Sequence, residues 1–363
     1  MNEEEIPAFT VSTYANESKS SSFPMYVLGV DVGGTHTDIA VAGILKKVPS
    51  LICSLHFQTD YLTGILPAMD QALQYAKQHF DIDIQKACIG AAGIISSDMS
   101  RVQLTNASWS INRLDLIQHT SLDHVFLLND FQTIGYGINQ IDHESQGDLI
   151  TINKPSTENN KETKAVLGAG TGLGKTILSF DATHEVYIPL PSEGGHSDLP
   201  LYSQDEVDMS SWIQQLLHRK QPLRYEDVLS GNGLSHIYSY LRQTDEYPTS
   251  EITQRIDKSP IKAPLISQYR TIDETCKTTF DWFTRFYARC AKNLALDALA
   301  TGGIYIAGGI AIKNHDLFQS SLFLDEFLQS FNRTDLLKTI PIYLIKNYDI
   351  SLLGACFAAG FLD

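Results

Sequence analysis

One arrangement occurs twice in this chain: an apolar strand, a glycine-rich loop and a second apolar strand. Met25 to Val30 breaks into Asp31-Val32-Gly33-Gly34-Thr35 and resumes at Ile39 to Ala42. Ala165-Val166-Leu167 breaks into Gly168-Ala169-Gly170-Thr171-Gly172-Leu173-Gly174 and resumes at Thr176 to Phe180. A glycine tip exposes backbone N–H groups, permits positive φ and lets an anion such as phosphate approach closely. A single diglycine hairpin is an ordinary turn. Two such units, well separated in a 363-residue chain, predict two domains of related architecture.

Two familiar phosphate motifs do not fit these loops. Gly174-Lys175-Thr176 ends like a Walker loop, but position 169 is Ala, and Ile177-Leu178-Ser179-Phe180 reads as strand where that motif needs a helix. The dinucleotide fingerprint is absent too, because the glycines recur at every second residue. Asp31, at the end of the first strand, suits a magnesium ion held through water.

Polar clusters punctuate the rest of the chain. Phe126-Leu127-Leu128 ends abruptly in Asn129-Asp130, which delivers two polar side chains to a sheet edge, where ligands of α/β proteins bind. A carboxylate there either caps the next helix or takes the proton from an attacking alcohol. Leu104-Thr105-Asn106-Ala107-Ser108-Trp109 offers an amide and an indole to a hydroxylated ligand, with a core role for Trp109 equally open. In Ser192-Glu193-Gly194-Gly195-His196, Glu193 and His196 suit several sugar hydroxyls; without a third ligand at recognisable spacing they make weak evidence for zinc. Glu226 precedes the glycine turn at Ser230-Gly231 and reads either as another site carboxylate or as a solvated charge at a helix start. Ile304-Tyr305-Ile306-Ala307-Gly308-Gly309 is strand, glycine pair and helix start, where a nucleotide could lie against bare backbone. Helical spacing predicts helices at Thr63–Phe80, Glu206–Leu217, Gly233–Leu241, a buried central one over Asp273–Ala300, and a small-residue helix over Ser351–Phe361. The polar stretch 142–164 reads as a loop near a domain boundary.

Composition narrows the partners. A hydrophobic content of 43% with 19% charged residues fits a globular protein with a filled core. A net charge of -15 argues against nucleic acid or an anionic membrane surface, and no apolar run is long enough to span a bilayer. The five cysteines have neither metal-ligand nor disulfide spacing and read as core residues in a reducing cytoplasm. Residues 1–25, with Glu3-Glu4-Glu5 and Ser20-Ser21-Ser22, read as a flexible extension without a signal peptide.

The clusters taken in order, from Val30-Asp31-Val32-Gly33-Gly34-Thr35 to Ile306-Ala307-Gly308-Gly309-Ile310, resemble the bacterial glucokinase family within the actin-like superfamily. The resemblance runs from about Tyr26 to the end. It implies a two-lobed α/β fold of actin-like (ribonuclease H-like) ATPase type, with mixed sheets flanked by helices. The small lobe would be 26–141 plus 343–363, and the large lobe 142–342. It also implies a homodimer and ATP-dependent phosphorylation of glucose at the 6-hydroxyl. By motif match, Asp130 is the general base, and Asn106, Asn129, Asp130, Glu193, His196 and Glu226 meet the sugar. Val30, Asp31, Val32, Gly33, Gly34 and Thr35 form the first phosphate loop, with Asp31 on Mg²⁺. Gly170, Thr171 and Gly172 belong to the second loop, and Gly308 and Gly309 border the adenosine of ATP. Zinc is not expected, because the cysteine-rich motif of zinc-bearing sugar kinases is missing. The chain departs from the family at His36 and Asp38, where the pattern has Asn and a basic residue. Lys175 either restores the missing positive charge or faces outward from its strand. Rival readings are a kinase for another hexose (mannose, fructose or an amino sugar), a sugar-binding regulator descended from a kinase, and an actin-like filament or chaperone ATPase.

Overall fold

The computed structural model describes residues 8–14, 23–105, 107–141, 147–154, 161–244 and 246–363. They form two compact units, one comprising Met1–Asp142, Asp181–Pro191 and Asp349–Asp363, the other His143–Phe180 and Ser192–Tyr348. This division departs from the expected lobes in two places. Residues 181–191 join the first unit, and 343–348 stay with the second, because the strand Ile342–Ile345 pairs inside the second unit's sheet.

The first unit is built on strands β1 (Phe9–Thr13), β2 (Met25–Val32), β3 (His36–Leu45), β4 (Val48–Gln58), β5 (Lys86–Ala91) and, after the small sheet β6 (Gly93–Ile95), β7 (Arg101–Leu104) and β8 (Ser110–Asn112), β9 (His124–Asn129). The large sheet runs β1-β4-β3-β2-β5-β9. Alternation gives it two different faces. Leu28, Val30 and Val32 share one with Ile39, Val41, Leu55 and Phe57, and this face packs on the helix Leu66–Phe80 through Ala68, Met69, Ala72 and Ala76. The other face carries Val27, Gly29, Ala40 and Ala42 against the terminal helix Ile350–Phe361. The contact is close because small residues line it. A Cβ on Gly29 would stand 2.7 Å from the Cys356 nitrogen and 2.9 Å from the Leu352 oxygen.

β1 corrects the reading of residues 1–25 as a flexible extension. The described part is an edge strand in antiparallel register with β4, from Phe9 opposite Phe57 to Thr13 opposite Cys53. The Phe9 ring packs on Phe57 with centroids 5.4 Å apart.

The second unit's sheet contains β10 (Leu149–Asn153), β11 (Lys164–Ala169), β12 (Leu173–Asp181), β14 (Gly303–Ala307) and β15 (Ile342–Ile345), in the order β10-β15-β14-β11-β12; β13 (Val186–Leu190) lies in the first unit's portion of the chain. β10 falls in the stretch 142–164 that was expected to be a loop. Leu149-Ile150-Thr151-Ile152 has β-branched content, but its polar surroundings outweigh that in a sequence reading. The helix Glu274–Ala298 crosses this sheet, starting at the N-cap Asp273, whose carboxylate accepts the Cys276 N–H at 3.0 Å, and ending at Leu299 in the left-handed region, φ 46°. Phe280, Phe283, Tyr287 and Leu294 recur on its buried face and join Leu167, Ile304 and Ile306 in one core.

Candidate active site

β2, β5 and β9 run parallel, so their carboxyl ends meet at one edge, where Asp31 pairs with Gly90 and Ala91 with Asn129. The first glycine loop leaves this edge from β2, and Asn129-Asp130 leaves it from β9. The helix Asp130–Gly137 starts there with Asn129 as its N-cap. The Asn129 side-chain oxygen accepts the Phe131 N–H at 2.9 Å, and Gln132 accepts the Asn129 N–H at 3.2 Å. Asp130 is the first helical residue, and its Oδ1 also accepts the Phe131 N–H at 2.9 Å. Capping therefore falls mainly to Asn129, while the Asp130 carboxylate is held at the positive end of a helix.

Burial is the main cause that raises the Asp31 carboxyl to about 7, and the carboxylates of Asp130 and Asp38 add to it. A hydroxyl hydrogen bond from Ser351 acts in the opposite direction. Ser351 in turn shares a 2.9 Å hydrogen bond with Thr133, whose hydroxyl donates to the Asp130 carbonyl at 2.6 Å. Ser351 belongs to the terminal helix, more than two hundred residues away in sequence, so nothing local marks it as a site residue.

Thr59 was missed for the same reason. It follows β4, yet it braces the first loop through three bonds: its N–H donates to the Thr35 carbonyl at 2.9 Å, its hydroxyl donates to the Gly33 carbonyl at 2.9 Å, and that hydroxyl lies 3.0 Å from the Thr37 hydroxyl. Gly33 is required by proximity, since a Cβ there would lie 2.9 Å from the His36 oxygen. Positive φ belongs elsewhere: among the described residues, the glycines that adopt it are Gly303 and Gly308. Val30 and Val32 point into the core, so their share in any phosphate contact is backbone only.

In the second unit, β11 and β14 run parallel with Gly168 opposite Ala307, so the second glycine loop and the Gly308-Gly309 pair leave the same edge. Gly308 has φ 94°, and a Cβ there would lie 2.6 Å from the Ala169 oxygen, so only glycine fits. Gly170 and Gly309 face open space, where a Cβ would meet nothing within 4 Å. The loop is closed on itself by Gly170 N–H to the Gly172 oxygen at 2.8 Å, and tied to the helix Gly231–Gln243 by Gly231 N–H to the Gly170 oxygen at 2.9 Å.

The structure brings Glu193, His196 and Glu226 together beside this loop. Glu226 accepts the Leu173 N–H at 3.1 Å, which makes it part of the loop's frame as well as a site carboxylate. His196 lies 3.6 Å from Glu193 and 3.9 Å from Glu226. Arg224 organises the group, bonding His196 Nδ1 at 2.9 Å and Asp227 at 2.8 Å. Burial opposes ionisation of Asp227, but bonds from Arg224 and Arg219 hold its carboxyl at about 2. Arg224 went unnoticed because a lone arginine carries no spacing signal.

Three expectations need correction or placement. Lys175 does not face outward; it is buried, with its ammonium 4.5 Å above the Tyr225 ring and bonded to Cys290. Its charge is committed inside the second unit. Trp109 packs against the first unit's core. Asn106 lies outside the described residues. No group of three or more potential metal ligands occurs among the described residues.

A family model described as Glucokinase matches residues 28–360, which begins after β1. A glucokinase from Nostoc punctiforme is 31% identical over 352 residues, covering 93% of this chain and 99% of that protein. The structure of glucokinase from Balamuthia mandrillaris in complex with glucose matches with a TM-score of 0.78 at 21% identity, over 93% of this chain and 94% of that one. A ROK family glucokinase from Streptomyces griseus in complex with glucose and AMPPNP matches with a TM-score of 0.60 at 19% identity, over 92% and 99%.

Proposed function

The chain belongs to the glucokinase family, whose members phosphorylate sugar, and from that premise we propose that it transfers the terminal phosphoryl group of ATP to the 6-hydroxyl of glucose. The observation that carries the proposal is the edge of β2, β5 and β9, where the first glycine loop, Asp31 and Asp130 converge.

Phosphoryl transfer needs positioning and charge compensation more than covalent help. Asp130 accepts the proton of the 6-hydroxyl as its oxygen bonds to the γ-phosphorus and the bond to the ADP oxygen breaks. The helix N-terminus orients Asp130 for that task and favours negative charge there. The Asn129 amide nitrogen donates to a sugar hydroxyl, because its oxygen is already engaged in the cap. Glu193, His196 and Glu226 receive the remaining hydroxyls, with Asn106 assigned to the sugar by motif alone. Gly33, Gly34 and Thr35 and then Gly170, Thr171 and Gly172 offer N–H groups to phosphate oxygens, and Gly308 and Gly309 lie along the adenosine.

Magnesium fits this chain. Burial and the neighbouring carboxylates of Asp130 and Asp38 disfavour the ionised form of Asp31, and a cation held there would offset that cost. A single carboxylate plus substrate phosphates is the usual way Mg²⁺ is bound. Mg²⁺ would supply neutralisation of phosphate charge. No helix among the described residues is long and apolar enough to cross a membrane; a cytoplasmic homodimer completes the proposal.

The test is ADP release coupled to a reporter reaction, with glucose, mannose, fructose and N-acetylglucosamine in turn. Turnover with glucose well above the others is expected; dominant turnover with another sugar keeps the mechanism and replaces the substrate. Asp130→Asn is expected to lower kcat roughly 10²–10⁴-fold with glucose binding largely kept. Near-normal turnover of that variant would remove Asp130 from the role of base.

A further inference from the structure

The polar groups on the terminal-helix face of the first unit's large sheet line up across four strands. Asp31 on β2 is the direct partner of Asp38 on β3, and Asp38 is the direct partner of His56 on β4. Direct partners in antiparallel strands share a face, so the three side chains form one row. The row ends on β1, where Ser12 pairs with Ser54. The hydrogen bonds follow it. His56 Nδ1 lies 2.7 Å from Asp38 Oδ1, and His56 Nε2 lies 3.0 Å from the hydroxyls of both Ser54 and Ser12. Tyr14 adds its hydroxyl to Ser54 at 3.2 Å.

A carboxylate only accepts, so Nδ1 of His56 carries the proton and donates to Asp38. The two serines on the far nitrogen fix the ring in the orientation that makes this bond. One of those serines lies on β1, ahead of the residues that the family model matches.

We propose that His56, held by Ser12 of the N-terminal strand, is a positioning residue of the nucleotide site that masks the Asp38 carboxylate beside Asp31. The inference rests on the reading of the first glycine loop as a phosphate loop. A site that must accept the phosphates of a nucleotide already holds Asp31 and Asp130; Asp38, standing where the family pattern has a basic residue, adds a third negative charge to it. Donation from His56 directs the Asp38 carboxylate away from the loop and spreads its charge over the imidazole. β1 thereby becomes part of the nucleotide site without touching the nucleotide.

The experiment is calorimetric titration of the full chain with MgADP, together with KM for MgATP and for glucose. His56→Ala exposes the Asp38 charge and is expected to weaken MgADP about fivefold, as expected for one partly screened charge at close range. KM for MgATP rises with it, and KM for glucose does not. Asp38→Asn/His56→Ala removes the charge along with its mask and restores MgADP affinity to within about twofold of the natural chain. Ser12→Ala, a milder change, weakens MgADP about twofold, and the loss vanishes in the Asp38→Asn background. If the double variant is as weak as His56→Ala, His56 merely supports the strands and the masking role is wrong. Unchanged affinity in both His56→Ala and Ser12→Ala also overturns it. Absence of any MgADP binding by the natural chain overturns the phosphate-loop reading itself, a result distinct from either of these.

Discussion

Asp31 is less stable ionised than most aspartates, and its position explains why. Burial and two neighbouring carboxylates raise its carboxyl from the ordinary 3.8 to about 7. The sign follows from linkage: a group whose folded pKa lies above its unfolded one gives its full stabilisation below the unfolded value and loses it as pH rises through the folded value. The ligand-free protein should therefore lose stability between about pH 4 and pH 7 on account of this residue. Asp31→Asn, neutral at every pH, should raise the melting temperature at pH 8 by several degrees, worth on the order of 4 kcal/mol. At pH 4 and below it should have little effect. Scanning calorimetry at the two pH values decides it; equal shifts at both would mean that the effect is packing rather than charge. At this scale the sequence was informative where chemistry and punctuation coincide. Asp31 and Asp130 each end an apolar run, and Gly308 opens a helix. Ser351, Thr59 and Arg224 were invisible, because each acts through a partner far away in the chain or through a role that its residue type does not advertise.

Among elements, the short segment after β4 governs the first loop. Thr59 joins the carbonyls of Gly33 and Thr35 and the hydroxyl of Thr37. Thr59→Val keeps the volume and the backbone bond but removes the hydroxyl bond to Gly33, leaving a partly buried carbonyl short of its donor. Stability should fall by about 1–2 kcal/mol, and KM for MgATP should rise severalfold with KM for glucose unchanged. Denaturant titration and steady-state kinetics measure the two effects; a rise in both KM values alike would show that Thr59 supports the unit as a whole and not the loop. The elements best read from sequence are those with long periodicity, such as Glu274–Ala298, or with glycine boundaries, such as β2 and β11. β1 and β10 do not announce themselves in the sequence, because edge strands bury little and their polar content resembles that of loops. The terminal helix was legible as small and apolar. Its purpose was not: Gly29 and Gly354 let it approach β2 and the helix Asp130–Gly137, which brings Ser351 to Asp31.

Across the whole molecule, the five cysteines give a simple check on the packing. All are buried and free, and burial raises every one of their thiols above the ordinary value. A thiol reagent should modify the native protein slowly and reach five thiols per chain only in denaturant. Rapid modification of the native form would contradict this core. The buried triad of Arg289 with Glu206 and Glu326, at 2.8 and 2.6 Å, belongs to the same scale, since it joins three helices of the second unit.

By itself the sequence determined that this chain repeats a strand–loop–strand unit, that its glycines and carboxylates occur in the order of a sugar kinase, and that Asp130 ends a buried strand. The strand–loop–strand repeat and the end of the buried strand are local, so periodicity and spacing carry them; the sugar-kinase order rests on the resemblance to the family. Only the tertiary structure decided which strands share an edge, that residues 181–191 and 349–363 complete the first unit, and that Thr59, Ser351 and Arg224 hold the loops and carboxylates in place. It also decided that Asp38 meets His56 and that Lys175 turns inward to Tyr225. Such contacts join residues tens to hundreds of positions apart, and the free energy that selects them comes from burial and hydrogen bonding across the fold, which no short stretch of sequence contains.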